Sequence, residues 1–139
     1  MGHAELRRGT DVLREDRLNY TPLPGSVQLV RRRAARLVAE WGHPGIAGDF
    51  ALVVGELACN AVLHGCVPRR HFRVHLKLTR LVVRAEVTDP RGERLPRRRQ
   101  AADDEMFGRG MVIVDALASR WGVTPLEVGK TVWVELDLT

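Results

Sequence analysis

The segment AGDFALVVGELACNAVLHG, residues 47–65, decides the fold. Its apolar residues recur at three- and four-residue spacing, which predicts a helix from about Ala47 to His64 with one buried face. The residues of that face are Phe50, Val53, Val54, Leu57, Ala61 and Val62. Gly65 follows as the expected stop signal, because glycine commonly terminates helices. The sequence therefore predicts a long amphipathic helix in the middle of the chain.

Three polar side chains follow one another along this predicted helix. Glu56, Asn60 and His64 are spaced four residues apart, so they share one edge beside the apolar face and can converge on one ligand. Such a row is more often an ordinary solvated helix face. Alternatively, Asn60 supplies an oxygen to a magnesium ion, and Glu56 orients or deprotonates the group that attacks a terminal phosphate. His64 is expected to cap the helix C-terminus rather than to bind a ligand.

The chain before this helix predicts an arm, a strand and another helix. A short apolar run near residues 13–20 indicates an edge strand, and prolines and a glycine at residues 22–25 interrupt the chain after it. Ser26 is a plausible N-cap for the helix that follows, because apolar residues then recur at helical spacing. These residues are Val27, Val30, Ala34, Leu37, Val38 and Trp41. Gly42 and Pro44 end this helix.

The second half of the chain is predicted to be mostly strands. Alternation from Phe72 to Leu78, and a second apolar run over residues 81–88, predict two antiparallel strands joined by a tight turn. Residues 90–107 hold prolines, a triple arginine and an acidic run without a sustained period, which predicts a long mobile loop. A third helix is expected after Gly108, and two strands, over about residues 120–123 and 131–138, close the chain.

Two further places in the sequence can hold part of a nucleotide. Asp89 ends a predicted strand, where a buried carboxylate can accept a hydrogen bond from an adenine amino group and would stay unpaired with guanine. An ordinary Asp-Pro turn is an equal interpretation. Gly108, Arg109 and Gly110 open the third helix, where free N–H groups and the helix dipole favour a phosphate. A glycine pair before a helix is common, so this segment is weak evidence by itself.

Composition and charge restrict the class of protein only loosely. The 139 residues suit one domain, and Cys59 with Cys66 fits neither a zinc framework nor a disulfide scaffold. No continuous apolar stretch approaches the roughly 20 residues of a membrane span, and the start of the chain is charged, so a cytoplasmic location is expected. Basic residues outnumber acidic ones by 22 to 17. Arginine clusters at residues 31–33, 69–70 and 97–99 suit nucleic acid, phosphate ligands or an acidic partner, but a solvated surface is the simplest interpretation.

Four motifs, taken in order, resemble the Bergerat-fold ATPases, the superfamily that includes gyrase, a heat-shock chaperone, histidine kinases and the mismatch-repair ATPase. Their residues are 56–65 (ELACNAVLHG), 87–89 (VTD), 108–114 (GRGMVIV) with 117–123 (LASRWGV), and 129–136 (GKTVWVEL). The closest resemblance is to small anti-sigma-factor serine/threonine kinases of bacteria and their actinobacterial relatives, from about Tyr20 onward. Four ordered motifs are far more specific than any one of them.

The resemblance implies a role for each matching residue. Glu56 would be the general base, Asn60 the magnesium ligand, and Asp89 the residue that reads adenine, supported by Thr131. Residues 90–107 would form a lid over ATP. The phosphate-facing hinge and its neighbours would be Gly108, Arg109, Gly110 and Met111.

The first glycine motif departs from the family pattern. Asp-x-Gly-x-Gly is replaced by DPRGER at residues 89–94, so only Gly92 remains, shifted by one position. Pro90 stiffens this turn. The departure predicts weaker nucleotide binding or an unusually placed lid, and it bears on turnover more than on the fold.

The resemblance implies a two-layer α/β sandwich, with a mixed, mostly antiparallel sheet and helices on one face. Residues 1–20 would form the arm and edge strand, and residues 21–139 a single ATP-binding domain. The expected function is a regulatory serine/threonine kinase that uses Mg-ATP to phosphorylate an antagonist protein, and that also holds a sigma factor. A homodimer is compatible with this reading, and a membrane partner is not expected. The alternatives are a non-catalytic module in which ATP sets partner choice, and, less favoured, a nucleic-acid-binding protein.

Overall fold

The computed structural model describes residues 9–64, 70–89, 111–127 and 129–138, which form a sheet with helices packed against it. The strands are β1 (Arg14–Tyr20), β2 (Phe72–Leu78), β3 (Val82–Asp89), β4 (Arg120–Pro125) and β5 (Lys130–Asp137). The helices are α1 (Pro24–Glu40), α2 (Ala47–His64) and α3 (Val112–Leu117), and a 3₁₀ turn (Pro44–Ile46) precedes α2.

The five strands lie in the order β1-β2-β3-β5-β4. Every pairing in the described part of the chain is antiparallel. The expected sheet, mixed and mostly antiparallel, therefore has only its antiparallel component here. The β2–β3 hairpin closes at Thr79, whose N–H donates to the Val82 carbonyl at 2.9 Å. The fold class expected from the sequence is confirmed.

The inner face of the sheet and α2 form the core. Alternate residues of β3 and β5 are buried there, and the apolar face of α2 packs on them. All six residues expected on that face are buried, namely Phe50, Val53, Val54, Leu57, Ala61 and Val62. This packing fixes α2 over the sheet, so polar residues on the edge of its buried face also point toward the strands.

The start of α1 differs from the expectation that Ser26 is its N-cap. The helix begins at Pro24, with Leu23 in the capping position and no side-chain cap. Proline suits the first helical turn because its fixed φ is already helical and its missing N–H would have no partner there. Ser26 instead lies inside the first turn, where its hydroxyl donates to the Thr21 carbonyl at 2.6 Å. Gly42, with φ of 100°, follows the end of α1 as expected.

The outer face of the sheet is covered by charged side chains instead of helices. Arg84 donates to Glu86 and to Glu135, both at 2.8 Å, and its guanidinium lies 4.5 Å from the centroid of the Trp133 ring. Gly122 lies beneath that ring, and a Cβ there would be 2.7 Å from it. The helices thus cover only one face of the described sheet.

One described segment, Pro44–Leu63, is long and apolar enough to cross a membrane. The segment carries Asp49, Glu56 and Asn60, and 56% of its apolar window is buried inside the fold. Burial against the sheet and α1 is the behaviour of a core helix.

Candidate functional site

The side chain of Asn60 lies where α2 faces the end of β3 and the start of β5. Asn60 is 8% exposed, and its Nδ2 atom has no hydrogen-bond partner among the described residues. A buried amide without a partner costs roughly 1–3 kcal/mol, so it calls for an explanation such as a ligand. Because oxygen and nitrogen exchange places when the amide turns over, Asn60 can present either a donor or a hard oxygen.

The carboxylate of Asp89 lies on the inner face of the sheet, at the same end of β3. Asp89 is the last residue of β3 and is 3% exposed. It continues the inward alternation of Val83, Ala85 and Val87. The antiparallel register pairs it with Lys130, the first residue of β5. The structure thus buries the carboxylate that the sequence places at the end of this strand.

A small cavity joins the two groups. Its lining is formed by Leu57, Asn60, Ala61, Val87, Asp89, Lys130 and Val132. The cavity volume of about 10 Å³ is room for about one water molecule. The described walls therefore form a corner that can receive one polar edge of a ligand, and they are too close together to hold a whole nucleotide.

A family model, the histidine kinase-like ATPase domain, matches residues 20–136, which is most of the chain. The chain belongs to the histidine kinase-like ATPase family. A search of curated proteins gave no significant match. Family membership implies ATP binding, and Asn60 and Asp89 are the buried polar groups that meet at the corner.

In this histidine kinase-like ATPase, Asn60 is the cavity-lining residue whose side-chain oxygen would suit a nucleotide-bound magnesium ion. No group of three or more His, Cys, Asp or Glu side chains that could hold a metal occurs in the described ranges. A magnesium ion here would take one oxygen from Asn60, and phosphates and waters would supply the rest, which is how magnesium commonly binds with nucleotides. The atom without a partner is the Nδ2 donor, so this arrangement requires the amide to be turned over, with its oxygen in that place.

The register of β3 and β5 separates Thr131 from Asp89. Thr131 pairs with Thr88, and the two hydroxyls are 2.7 Å apart on the outer face. Asp89 is buried on the inner face. The expected support of Asp89 by Thr131 stays a prediction. Lys130 holds the inward position beside Asp89 instead. Any contact of Thr131 with the nucleotide stays a prediction.

Glu56 lies one turn before Asn60, where Arg31 of α1 approaches it. The Arg31 Nη2 atom is 3.9 Å from the Glu56 Oε1 atom, and the two side chains are 36% and 21% exposed. The general base expected from the sequence is thus a partly exposed carboxylate beside a guanidinium. This ion pair joins the two helices next to the corner.

Other expected site residues are not brought to the corner by described contacts. Gly92, Gly108, Arg109 and Gly110 lie outside the described residues, as do Gly65, the whole expected lid and the His64 side chain. Met111 is fully buried and directly precedes α3, which begins at Val112 rather than at the glycines. Its side chain packs in the core, and its role in nucleotide binding stays a prediction.

Sequence reasoning missed Arg31 and Lys130. Arg31 was one of three clustered arginines that read as surface, and Lys130 stood next to the threonine of the recognised motif. A signal for Arg31 was present in Gly55, because a glycine inside a helix costs about 1 kcal/mol relative to alanine and suggests a close approach. A signal for Lys130 was the alternation of β5, which sets Lys130, Val132 and Val134 on one face.

Proposed function

We propose that this histidine kinase-like ATPase is a regulatory serine/threonine kinase that phosphorylates a serine of a small antagonist protein. The observation that carries the proposal is that two buried polar side chains, Asn60 and Asp89, line the same small cavity, and that the Asn60 Nδ2 atom has no partner among the described residues. Glu56 one turn earlier adds a carboxylate that can accept a proton. The resemblance of the sequence to anti-sigma-type kinases suggests the class of acceptor.

Each of the three residues has a distinct role in the proposed reaction. Asp89 accepts a hydrogen bond from the adenine amino group, at a position where guanine has a carbonyl oxygen. Asn60 would hold Mg²⁺ through its side-chain oxygen, and the ion would neutralise phosphate charge. Glu56 accepts the serine hydroxyl proton while the serine oxygen bonds to the terminal phosphorus, and the bond from that phosphorus to ADP breaks.

The proposal extends to partners and location. The antagonist protein would be the phosphate acceptor, a sigma factor would be the second partner, and two copies of the chain would be able to pair. The cytoplasm is the proposed location. The burial of more than half of the apolar window in α2 supports a core role for that helix.

A non-catalytic, ATP-dependent binding module is the second candidate. The observation in its favour is that Glu56 already has a cationic neighbour, Arg31, at 3.9 Å. A nucleic-acid-binding role has less support, since Arg33 is held by Asp16 in two hydrogen bonds of 2.7 Å. Arg31 likewise lies against Gly55 and Glu56.

Nucleotide titration tests the binding part of the proposal. Calorimetry with Mg²⁺ should give saturable binding of ATP and none of GTP. Asp89→Asn should lower ATP affinity about 10- to 100-fold, because a buried hydrogen bond to a charged acceptor is lost. Asp49→Asn, an exposed carboxylate at the other end of α2, is the control and should leave affinity unchanged. Equal binding of GTP, or an unaffected Asp89→Asn variant, would contradict the site.

Phosphoryl transfer separates the kinase from the binding module. Transfer of labelled terminal phosphate to candidate antagonist proteins should fall about 10²- to 10⁴-fold in Glu56→Gln, the range for loss of a general base. ATP affinity should stay within about threefold, since the substitution keeps the side-chain shape. If the wild-type protein binds ATP but transfers no phosphate to any candidate, the binding-module interpretation is the correct one.

A further inference from the structure

Arg31 is the residue of α1 that reaches the proposed general base. Its side chain crosses α2 at Gly55, so that the guanidinium ends beside Glu56. The crossing is tight. A Cβ on Gly55 would lie 2.2 Å from Nε, 2.7 Å from Cγ and 3.0 Å from Cδ of Arg31. Only glycine admits the side chain along this path.

The position of Arg31 differs from that of an ordinary surface arginine. Its Nε atom is buried and has no hydrogen-bond partner among the described residues, although the rest of the side chain is 36% exposed. Burying a donor without a partner is unfavourable, so the packing against Gly55 is maintained at a cost. The neighbouring arginines behave differently, because Arg32 is exposed and Arg33 is bonded to Asp16.

The consequence concerns the orientation of Glu56. Helical glutamates sample several rotamers, and a guanidinium 3.9 Å away, too far for a hydrogen bond, favours through its charge the rotamers that face it. Glu56 and Asn60 are one turn apart, so a fixed Glu56 carboxylate keeps a constant relation to whatever Asn60 binds. Small displacements of catalytic groups can cost about 10²-fold in rate.

We propose that Arg31 is a positioning residue for Glu56, and that the absence of a side chain at Gly55 leaves the space in which Arg31 reaches Glu56. The inference rests on the proposed kinase function, which it deepens. Arg31 contacts neither substrate in this scheme. It sets the orientation of the carboxylate that accepts the serine proton.

The kinetic test compares five variants. Arg31→Gln and Gly55→Ala should each lower kcat for transfer about tenfold or more and leave the Kd for Mg-ATP within about twofold. The double variant should be no worse than either single variant, because both remove the same contact. Arg31→Lys should keep more activity than Arg31→Gln, since a cation remains within reach of Glu56. Arg32→Gln, the exposed neighbour, is the matched control and should behave as wild type.

Three results would overturn the inference. The first is an Arg31→Gln variant as active as Arg32→Gln. The second is full additivity of Arg31→Gln and Gly55→Ala. The third is a parallel loss of ATP affinity and thermal stability with kcat, which would mean that Arg31 only supports the fold.

A readout without activity separates this inference from the proposed function. The Nε–H resonance of Arg31 in the wild-type protein should exchange slowly with solvent, because the atom is buried. Glu56→Gln should shift that resonance, and Gly55→Ala should speed its exchange. If Glu56→Gln shifts the resonance but the wild-type protein transfers no phosphate, the kinase proposal is wrong and the contact between Arg31 and Glu56 is supported. If the wild type transfers phosphate and the resonance ignores Glu56→Gln, the positioning role fails.

Discussion

Lys130 and Thr131 are neighbours in β5, yet only one of them shares the cavity with Asp89 and Asn60. Lys130 lies opposite Asp89 on the inner face, and Thr131 lies opposite Thr88 on the outer face. The motif GKTVWVEL contains both residues, but it does not say which of them points inward. The side of a strand is set by its register, which a motif leaves open.

Substitution of these two neighbours distinguishes the faces of β5. Lys130→Ala should lower ATP affinity about 5- to 30-fold, because it removes part of the cavity wall beside Asp89. Thr131→Val keeps the shape of the side chain and should leave affinity within about twofold. Calorimetric titration with Mg-ATP measures both. A larger loss in Thr131→Val than in Lys130→Ala would show that Thr131 is the residue at the nucleotide.

Among the elements, α1 and β1 are tied together by one ion pair. Arg33 donates two hydrogen bonds to Asp16, each 2.7 Å long, and the side chains are 33% and 18% exposed. The hydrogen bonds from Arg33 hold the pKa of Asp16 below its usual value, while partial burial opposes this shift. This ion pair links the edge strand β1 to helix α1 at the inner face of the sheet.

The Asp16–Arg33 ion pair predicts that the free energy of unfolding falls in acid. A carboxylate whose pKa is lowered by folding stabilises the fold fully above its unfolded pKa of about 4, and this contribution is lost as pH falls through the folded pKa. Asp16→Asn should therefore lower the free energy of unfolding by about 1 kcal/mol at pH 7, a value reduced for partial exposure. The difference from wild type should shrink below about pH 4.

Chemical unfolding at pH 7 and at pH 3 measures this contribution. Glu40→Gln is the matched control, because Glu40 pairs with Arg36 at 3.3 Å and both side chains are more than half exposed. Its effect should be close to zero. An Asp16→Asn variant that loses no more stability than Glu40→Gln, or that loses the same amount at both pH values, would contradict the assignment.

Elements with strong periodicity could be predicted from the sequence. The limits of α2, Ala47–His64, follow from its apolar spacing, and the β2–β3 hairpin follows from alternation. The start of α1 was missed because Pro24 and Ser26 both carry start signals, and proline at the first position outweighed the serine. The third helix expected after Gly108 is present as α3, Val112–Leu117.

For the whole molecule, the sequence predicts the layers of the fold and two of the polar residues that line the cavity, Asn60 and Asp89, but not Lys130. The family resemblance implies the two-layer arrangement, and the expected site residues Asn60 and Asp89 are both buried. The contact of Arg31 with Gly55 and Glu56 was out of reach, because it depends on how α1 crosses α2. Periodicity within one helix carries no information about that crossing.

The connection between β4 and β5 has a consequence for the whole nucleotide-facing edge. Gly129 has φ of 83°, and the Leu126 N–H donates to its carbonyl at 3.1 Å, so β5 starts at a fixed phase. A slip of β5 by one residue against β3 would turn Trp133 and Glu135 into the core and carry Lys130 away from Asp89. The turn ahead of Lys130 and the buried alternation of β5 therefore both determine which side chain lies beside the carboxylate.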